Sequence, residues 1–144
     1  MKTVKQLLDI KGHLVLTISP KATILEALNI MAEKQVGALL VMQGDRLVGI
    51  FSERDYARGV AAKNDVSRDT PVENMMTPEA RLITITPEQM MDECINLIND
   101  KRIRHLPVLD NGKVVGVLSI GDLVKAVIEH QQLFIQQLEE YVRT

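Results

Sequence analysis

Two four-residue boxes, Ser52-Glu53-Arg54-Asp55 and Ser119-Ile120-Gly121-Asp122, hold the side chains of this sequence best suited to binding chemistry. Each closes an apolar run ("GIFSERD" and "GVLSIGD"), with Gly49 or Gly116 three residues before the serine. A strand that delivers its chain into a helix leaves several backbone N–H groups unpaired at the positive end of the helix dipole, which suits an anionic phosphate. A carboxylate one turn in can accept hydrogen bonds from both hydroxyls of a ribose, and the serine hydroxyl adds a third polar contact. The glycine allows a backbone or ligand to approach closely. The same residues also have a structural use, with Ser52 and Ser119 as helix N-caps and Asp55 and Asp122 favourable in the first turn. Spacing alone leaves both uses open.

A second stretch, "RIRHLPV" from Arg102 to Val108, places Arg102, Arg104 and His105 beside an apolar strand in which Pro107 restricts the backbone. Strand alternation would send Arg102 and Arg104 to one face and Ile103 and His105 to the other. The planar fork of arginine suits a phosphate, and His105 can donate to one. At the corresponding place earlier in the chain stands "QVGALLV", which carries no charge. Two unequal clefts are therefore expected, because the phosphate-binding charge comes from the second unit, without its being assigned to either cleft. The alternative for Arg104 is pairing with surface carboxylates. Arg54 and Arg58, four apart on one helical face, and Lys125 can touch a phosphate or remain solvated helix charges.

These residues need elements to hold them, and an internal repeat supplies those elements. Shifting the chain by 67 positions, the spacing between Ser52 and Ser119, aligns residues 15–60 with 82–127 without a gap. Thr17-Ile18-Ser19-Pro20 falls on Thr84-Ile85-Thr86-Pro87, Glu26 on Glu93, Lys34 on Lys101, and Val48-Gly49 on Val115-Gly116. Core-type and polar positions match alike, which indicates duplication of one folded unit. Within each unit, "LVLTIS" or "RLITIT" has strand character and is stopped by a proline. Helical spacing follows at Ile24, Leu25, Leu28 and Met31, and at Met91, Ile95, Leu97 and Ile98. Ser19-Pro20 and Thr86-Pro87 are expected to open these helices, hydroxyl as cap and proline in the first turn. "VGALLVM" and "HLPVL" read as buried strands. "QGDR" and "DNGK" are hairpin turns, and "LVGIFS" and "VVGVLS" are third strands running into the box helices. The order per unit is β-α-β-β-α, an α+β fold. The units span 3–62 and 72–128 with a linker at 63–71.

After the second box the helical pattern continues into an extension at 129–144. Val127, Phe134 and Tyr141 recur every seven residues, as do Ile128, Ile135 and Val142, with Leu138 between. Such a stripe must be covered, either by folding back or by a second chain.

The remaining features narrow the function classes. With 144 residues, 46% apolar content and no Trp, the chain fits one domain or two very small ones with an aliphatic core. A formal charge of −2 gives no reason to expect nucleic-acid or membrane-surface binding. No apolar run approaches a bilayer span, and the start lacks signal-peptide character. The lone Cys94 cannot form an internal disulfide and reads as a small buried residue, so a cytoplasmic protein is expected. His13, His105 and His130 are scattered and show no metal-ligand spacing. No nucleophile–base set suggests an enzyme.

The doubled β-α-β-β-α unit, the "GIFSERD" and "GVLSIGD" endings, "RHLPVLDNGKVVGVLS" and the "ENMMT" lead-in together resemble a tandem pair of CBS domains, a Bateman module. The resemblance covers residues 3 to about 128 and implies two units packed about a pseudo-twofold axis, with clefts between them for adenine ligands: AMP, ADP, ATP, NAD or S-adenosylmethionine. It assigns ribose contacts to Ser52, Asp55, Ser119 and Asp122, and phosphate contacts to Arg104, His105 and Arg54. It also implies that Thr77, Ala80 and Ile103 flank the base facing Asp55, and that Gly12, His13 and Val36 do so facing Asp122. The family senses and regulates rather than catalyses. AMP is the first expectation, with ATP and NAD as alternatives and no metal. A homodimer through the C-terminal helix is expected, with an unknown protein partner. The competing reading is a scaffold with vestigial clefts that works through that helix.

Overall fold

The computed structural model describes residues 1–62 and 66–143; residues 63–65, which open the expected linker, and residue 144 lie outside the described residues. The chain divides into two compact units that run across the repeat boundaries. One consists of Leu14–Ile83 with Asn111–Val114, the other of Met1–His13, Thr84–Asp110 and Val115–Thr144. They are called here the Asp55 unit and the Asp122 unit.

The Asp55 unit holds a four-stranded sheet ordered β1-β2-β3-β4, formed by Thr17–Ile18, Ala38–Gln43, Arg46–Ser52 and Thr77–Pro78. β1 runs parallel to β2, while β2–β3 and β3–β4 are antiparallel. The β2–β3 turn has two central residues, and Gly44 at the first of them has φ +62°, a conformation glycine adopts without cost. Strand alternation directs Leu39, Val41 and Phe51 onto one face, where they meet Ile24, Ala27 and Met31 of α2 (Ile24–Lys34). Phe51 is fully buried, and removing its ring from water stabilises the unit by about 2–3 kcal/mol. Val72, in a 3-10 turn at Val72–Asn74, closes the same core. The helix α3 (Glu53–Ala62) leaves β3 directly.

In the Asp122 unit, α1 (Val4–Lys11) opens with a reciprocal capping box between Thr3 and Gln6. The unit continues with α4 (Met91–Lys101), the β5–β6 hairpin (His105–Asp110 and Lys113–Ser119), of which Asn111–Val114 group with the Asp55 unit, and α5 (Ile120–Arg143). The turn residues Asn111 and Gly112 both have positive φ, the signature of a primed turn. Leu8 of α1 seats its side chain where a Cβ on Gly116 of β6 would stand.

Each repeat is completed by the lead-in segment of the other. Residues 2–5 pair with 87–91 (Val4 N–H to Gln89 C=O, 2.8 Å; Met91 N–H to Lys2 C=O, 2.9 Å). Residues 70–72 pair in the same way with 22–24 (Ile24 N–H to Thr70 C=O and Val72 N–H to Ala22 C=O, both 2.8 Å).

Three sequence expectations need correction. The helices do not open at Pro20 and Pro87. Those prolines sit in turns closed by Ala22 N–H to Ser19 C=O (3.1 Å) and Gln89 N–H to Thr86 C=O (3.2 Å), and the helices begin at Ile24 and Met91. Thr23 supplies the first cap, its hydroxyl accepting from Glu26 N–H at 3.2 Å. At the second, Glu93 reaches back to the N–H of Met90. "RLITIT" forms only a parallel bridge of Ile85 to Val108, because a 3-10 turn at Glu79–Arg81 precedes it and the proline turn follows at once. Arg102 is the left-handed C-cap of α4 (φ 53°), so strand alternation begins at His105 and does not order Arg102 against Ile103.

Candidate functional site

Both boxes fold alike. In the first, the N–H and hydroxyl of Ser52 donate to Asp55 Oδ2 at 3.0 and 2.9 Å, while Asp55 N–H donates to Ser52 Oγ at 3.1 Å. In the second, Ser119 donates to Asp122 Oδ2 at 2.8 and 3.0 Å, and Asp122 N–H returns a bond to Ser119 Oγ at 3.2 Å. This is reciprocal capping at the heads of α3 and α5, so the structural use open in the sequence is realised twice. The carboxylates are half-buried rather than turned to bulk water. A further backbone bond ties each helix head to the segment before the unit's second main strand: Glu53 N–H to Gly37 C=O at 3.0 Å, and Ile120 N–H to Arg104 C=O at 2.9 Å. The main chain of Arg104 thereby stands at the Asp122 box. Among the described residues the exposed Arg104 side chain makes no ion pair.

The boxes differ in what reaches the carboxylate from outside. The Thr77 hydroxyl donates to Asp55 Oδ1 at 3.0 Å, and β4 pairs its backbone with β3 at Gly49↔Pro78 and Ile50↔Thr77. Among the described residues no strand does this for β6. Instead Lys11 Nζ donates to Val117 C=O and to Asp122 Oδ2, both at 2.6 Å, and His13 Nδ1 meets Val115 C=O at 3.0 Å. These carbonyls are two residues apart and so lie along one strand edge. Asp122 Oδ1 accepts no hydrogen bond from the described residues.

The charge states follow from these contacts. Partial burial opposes the charged form of Asp122, but the Lys11 hydrogen bond, the Ser119 donors and the Lys11 charge outweigh it and hold the carboxyl below its usual range. His13 is raised by its bond to the Val115 carbonyl and then by Asp9, whose Oδ1 lies 3.2 Å from Nε2. Burial pushes the Cys94 thiol up to about 11, with Glu93 and Asp92 adding to the shift, which leaves it inert.

The other expected residues fall as follows. Thr77 is gathered to Ser52 and Asp55, and the exposed Ala80 follows in the 3-10 turn of the same unit. Gly12, at φ 106°, ends α1 with its N–H on Leu8 C=O at 2.7 Å, carrying His13 to β6 in the Asp122 unit. Val36 belongs to the Asp55 unit, and Ile103 and His105 belong to the Asp122 unit. Arg54, Arg58 and Lys125 are exposed on α3 and α5. Sequence reasoning missed Lys11 because the repeat alignment starts at residue 15 and gives residues before it no counterpart. A cavity of about 510 Å³ lies between the Pro20 turn, the β2–β3 turn and Met76, beside the Lys21–Glu73 ion pair (2.7 Å), and no expected residue lines it. Among the described residues no group of three or more His, Cys, Asp or Glu could hold a metal, and no helix is long and apolar enough to cross a membrane.

Comparison with known proteins agrees with this geometry. The CBS domain family model matches residues 10–62 and 72–129. A curated relative, the mitochondrial CBS domain-containing protein CBSX3 of Arabidopsis thaliana, is 39% identical over 124 residues, covering 84% of this chain and 60% of that protein. The chain thus spans about three-fifths of that relative's length. A solved structure of a candidate signal-transduction protein with CBS domains from Burkholderia ambifaria is 46% identical with TM-score 0.84, covering 90% of this chain and 96% of that one. A CBS domain protein from Pyrobaculum aerophilum, solved in complex with AMP, is 28% identical with TM-score 0.73, covering 84% and 89%. With two matched segments, two equivalent Ser-x-x-Asp boxes and a shared fold, the chain belongs to the CBS domain family as a tandem CBS pair.

Proposed function

We propose that the chain is a regulatory module that binds an adenine nucleotide, AMP foremost, through the ribose hydroxyls at Asp55 and Asp122. The observation that carries this reading is the state of the two carboxylates. In each, serine fixes Oδ2, while among the described residues Oδ1 meets the Thr77 hydroxyl in one box and no partner in the other. An oxygen already served by an exchangeable hydroxyl is one that a sugar hydroxyl can take over at little cost. Ser52 and Ser119 orient the carboxylates, and Arg104 supplies charge for the phosphate at the Asp122 box, with His105 and Arg54 as further phosphate contacts. Thr77 and Ala80 flank the base at the first box, Gly12 and His13 at the second. The AMP complex of the Pyrobaculum relative supports the ligand class. ADP and ATP share these contacts, and NAD is the nearest rival because its AMP half would use them too. The role is regulation rather than catalysis, in the cytoplasm. The ligand acts by favouring one arrangement of the module over another.

The test is a thermal-shift series with AMP, ATP, NAD and S-adenosylmethionine on the wild-type chain and on Asp55→Ala and Asp122→Ala. Stabilisation that shrinks in each variant supports the reading; no shift with any of them at millimolar concentration removes it.

A second reading has its own observation. The α5 helix leaves Ile128, Phe134, Ile135 and Leu138 about half exposed, and Tyr141 and Val142 more so. Covering this face by a second copy would make a homodimer, or a scaffold that works without a ligand. Light scattering on the full chain, with and without AMP, separates a constitutive dimer from a ligand-linked one.

A further inference from the structure

We infer that Lys11 is a specificity-determining residue of the Asp122 box: it makes that box select phosphate-bearing ligands over neutral nucleosides. The inference rests on the ribose-binding reading above and extends it to ligand class.

The Lys11 ammonium lies 2.6 Å from both Asp122 Oδ2 and the Val117 carbonyl, with both side chains of the pair about two-thirds withdrawn from water (34% and 29% exposed). It is delivered by the last turn of α1, a helix anchored on β6 through Leu8 against Gly116 and continued to the Val115 carbonyl through His13. The contact is therefore built into the unit. A ribose that engages Asp122 with both its hydroxyls needs Oδ2 as well as the open Oδ1, and so must share or displace this ammonium. A neutral nucleoside offers no charge in exchange, so the lysine loses its counter-ion in a partly desolvated place. A nucleotide brings its own acceptor, and the four-carbon stem of lysine is long and flexible enough to swing from carboxylate to phosphate, keeping a charge-assisted bond throughout.

The Asp55 box lacks this filter. Its outside partner is the uncharged Thr77 hydroxyl, whose displacement strands no ion. The two boxes of one chain thus differ in ligand class, the first accepting nucleoside and nucleotide alike at its carboxylate, the second admitting the anion.

The test is calorimetric titration of adenosine and AMP into the full chain carrying Asp55→Asn, which silences the first box while keeping an acceptor at the head of α3. AMP is expected to bind at least about tenfold tighter than adenosine. Adding Lys11→Met should raise adenosine affinity while lowering or leaving that of AMP. This opposite movement is what a merely structural lysine would not produce, because lost folding would weaken both ligands. Lys11→Gln keeps a donor for the Val117 carbonyl without the charge and gives the same direction if the methionine variant folds poorly. Lys11→Arg should preserve the AMP preference. Equal binding of adenosine and AMP before Lys11 is changed overturns the inference, as does adenosine affinity that falls on its removal. If neither compound binds the wild-type chain, the ribose reading itself has failed.

Discussion

The third strands of the two repeats end in the same Ser-x-x-Asp device, yet their free edges are closed by different chemistry. The edge of β3 is covered by backbone pairing with β4, and its carboxylate by a neutral hydroxyl. The edge of β6 is covered by the Lys11 and His13 side chains reaching two carbonyls, and its carboxylate by an ammonium. Duplication kept the box and let the closure diverge. A backbone ladder is insensitive to charge; a closure made by lysine and histidine responds to pH and to anions.

The largest effect should come from the glycines under the two closures. A Cβ on Gly49 would stand 2.7 Å from the Thr77 carbonyl and 2.5 Å from Met76 Sδ, so the β3–β4 pairing must part. A Cβ on Gly116 would meet the Leu8 side chain at 2.6 Å, which can rotate away. Gly49→Ala should therefore destabilise by about 3 kcal/mol and Gly116→Ala by about 1 kcal/mol, measured by denaturant unfolding. Equal losses would erase the distinction between a backbone and a side-chain closure.

Next comes Lys11→Met, which keeps the aliphatic stem and removes the ion. A loss of about 1 kcal/mol at neutral pH is expected, discounted because the pair is about one-third exposed. Because the folded Asp122 carboxyl is held below its unfolded value of about 3.9, its contribution is present above that pH and lost as pH falls through the folded value. Acid unfolding curves of wild type and Lys11→Met should converge in that window; a constant gap down to the lowest pH would contradict the pairing.

The smallest effect belongs to His13. Its folded pKa is raised, so what it contributes is present below about 6.5 and lost as pH rises through the folded value. In His13→Gln, the slope of melting temperature against pH just above 6.5 should flatten, while the same slope near pH 4 should not change.

The sequence displayed the box itself, because Ser-x-x-Asp after an apolar run is a local pattern with a local cause. The hairpins at Gly44-Asp45 and Asn111-Gly112 were legible for the same reason. The helix starts were not, since Ser19-Pro20 serves equally as a turn, and Thr23 three residues on made the better cap. What closes each box was hidden more deeply. Thr77 was reached through the family resemblance, but Lys11 precedes the stretch that aligns between the repeats, and only tertiary packing brings it to a residue 111 positions away. Charge asymmetry was anticipated from Arg104 and His105; that a lysine from the opposite end of the sequence adds to it was not.

Serine capping alone would shape both boxes without any nucleotide, so the decisive measurement must address the sugar. Calorimetric titration of the wild-type chain with AMP and with 2′,3′-dideoxy-AMP does this, since the two share base and phosphate and differ only in the hydroxyls said to meet Asp55 and Asp122. AMP should bind roughly tenfold or more tightly than the dideoxy compound, because carboxylates arranged for hydroxyl donors reject a ligand that lacks them. Indistinguishable affinities would mean that the aspartates only cap their helices.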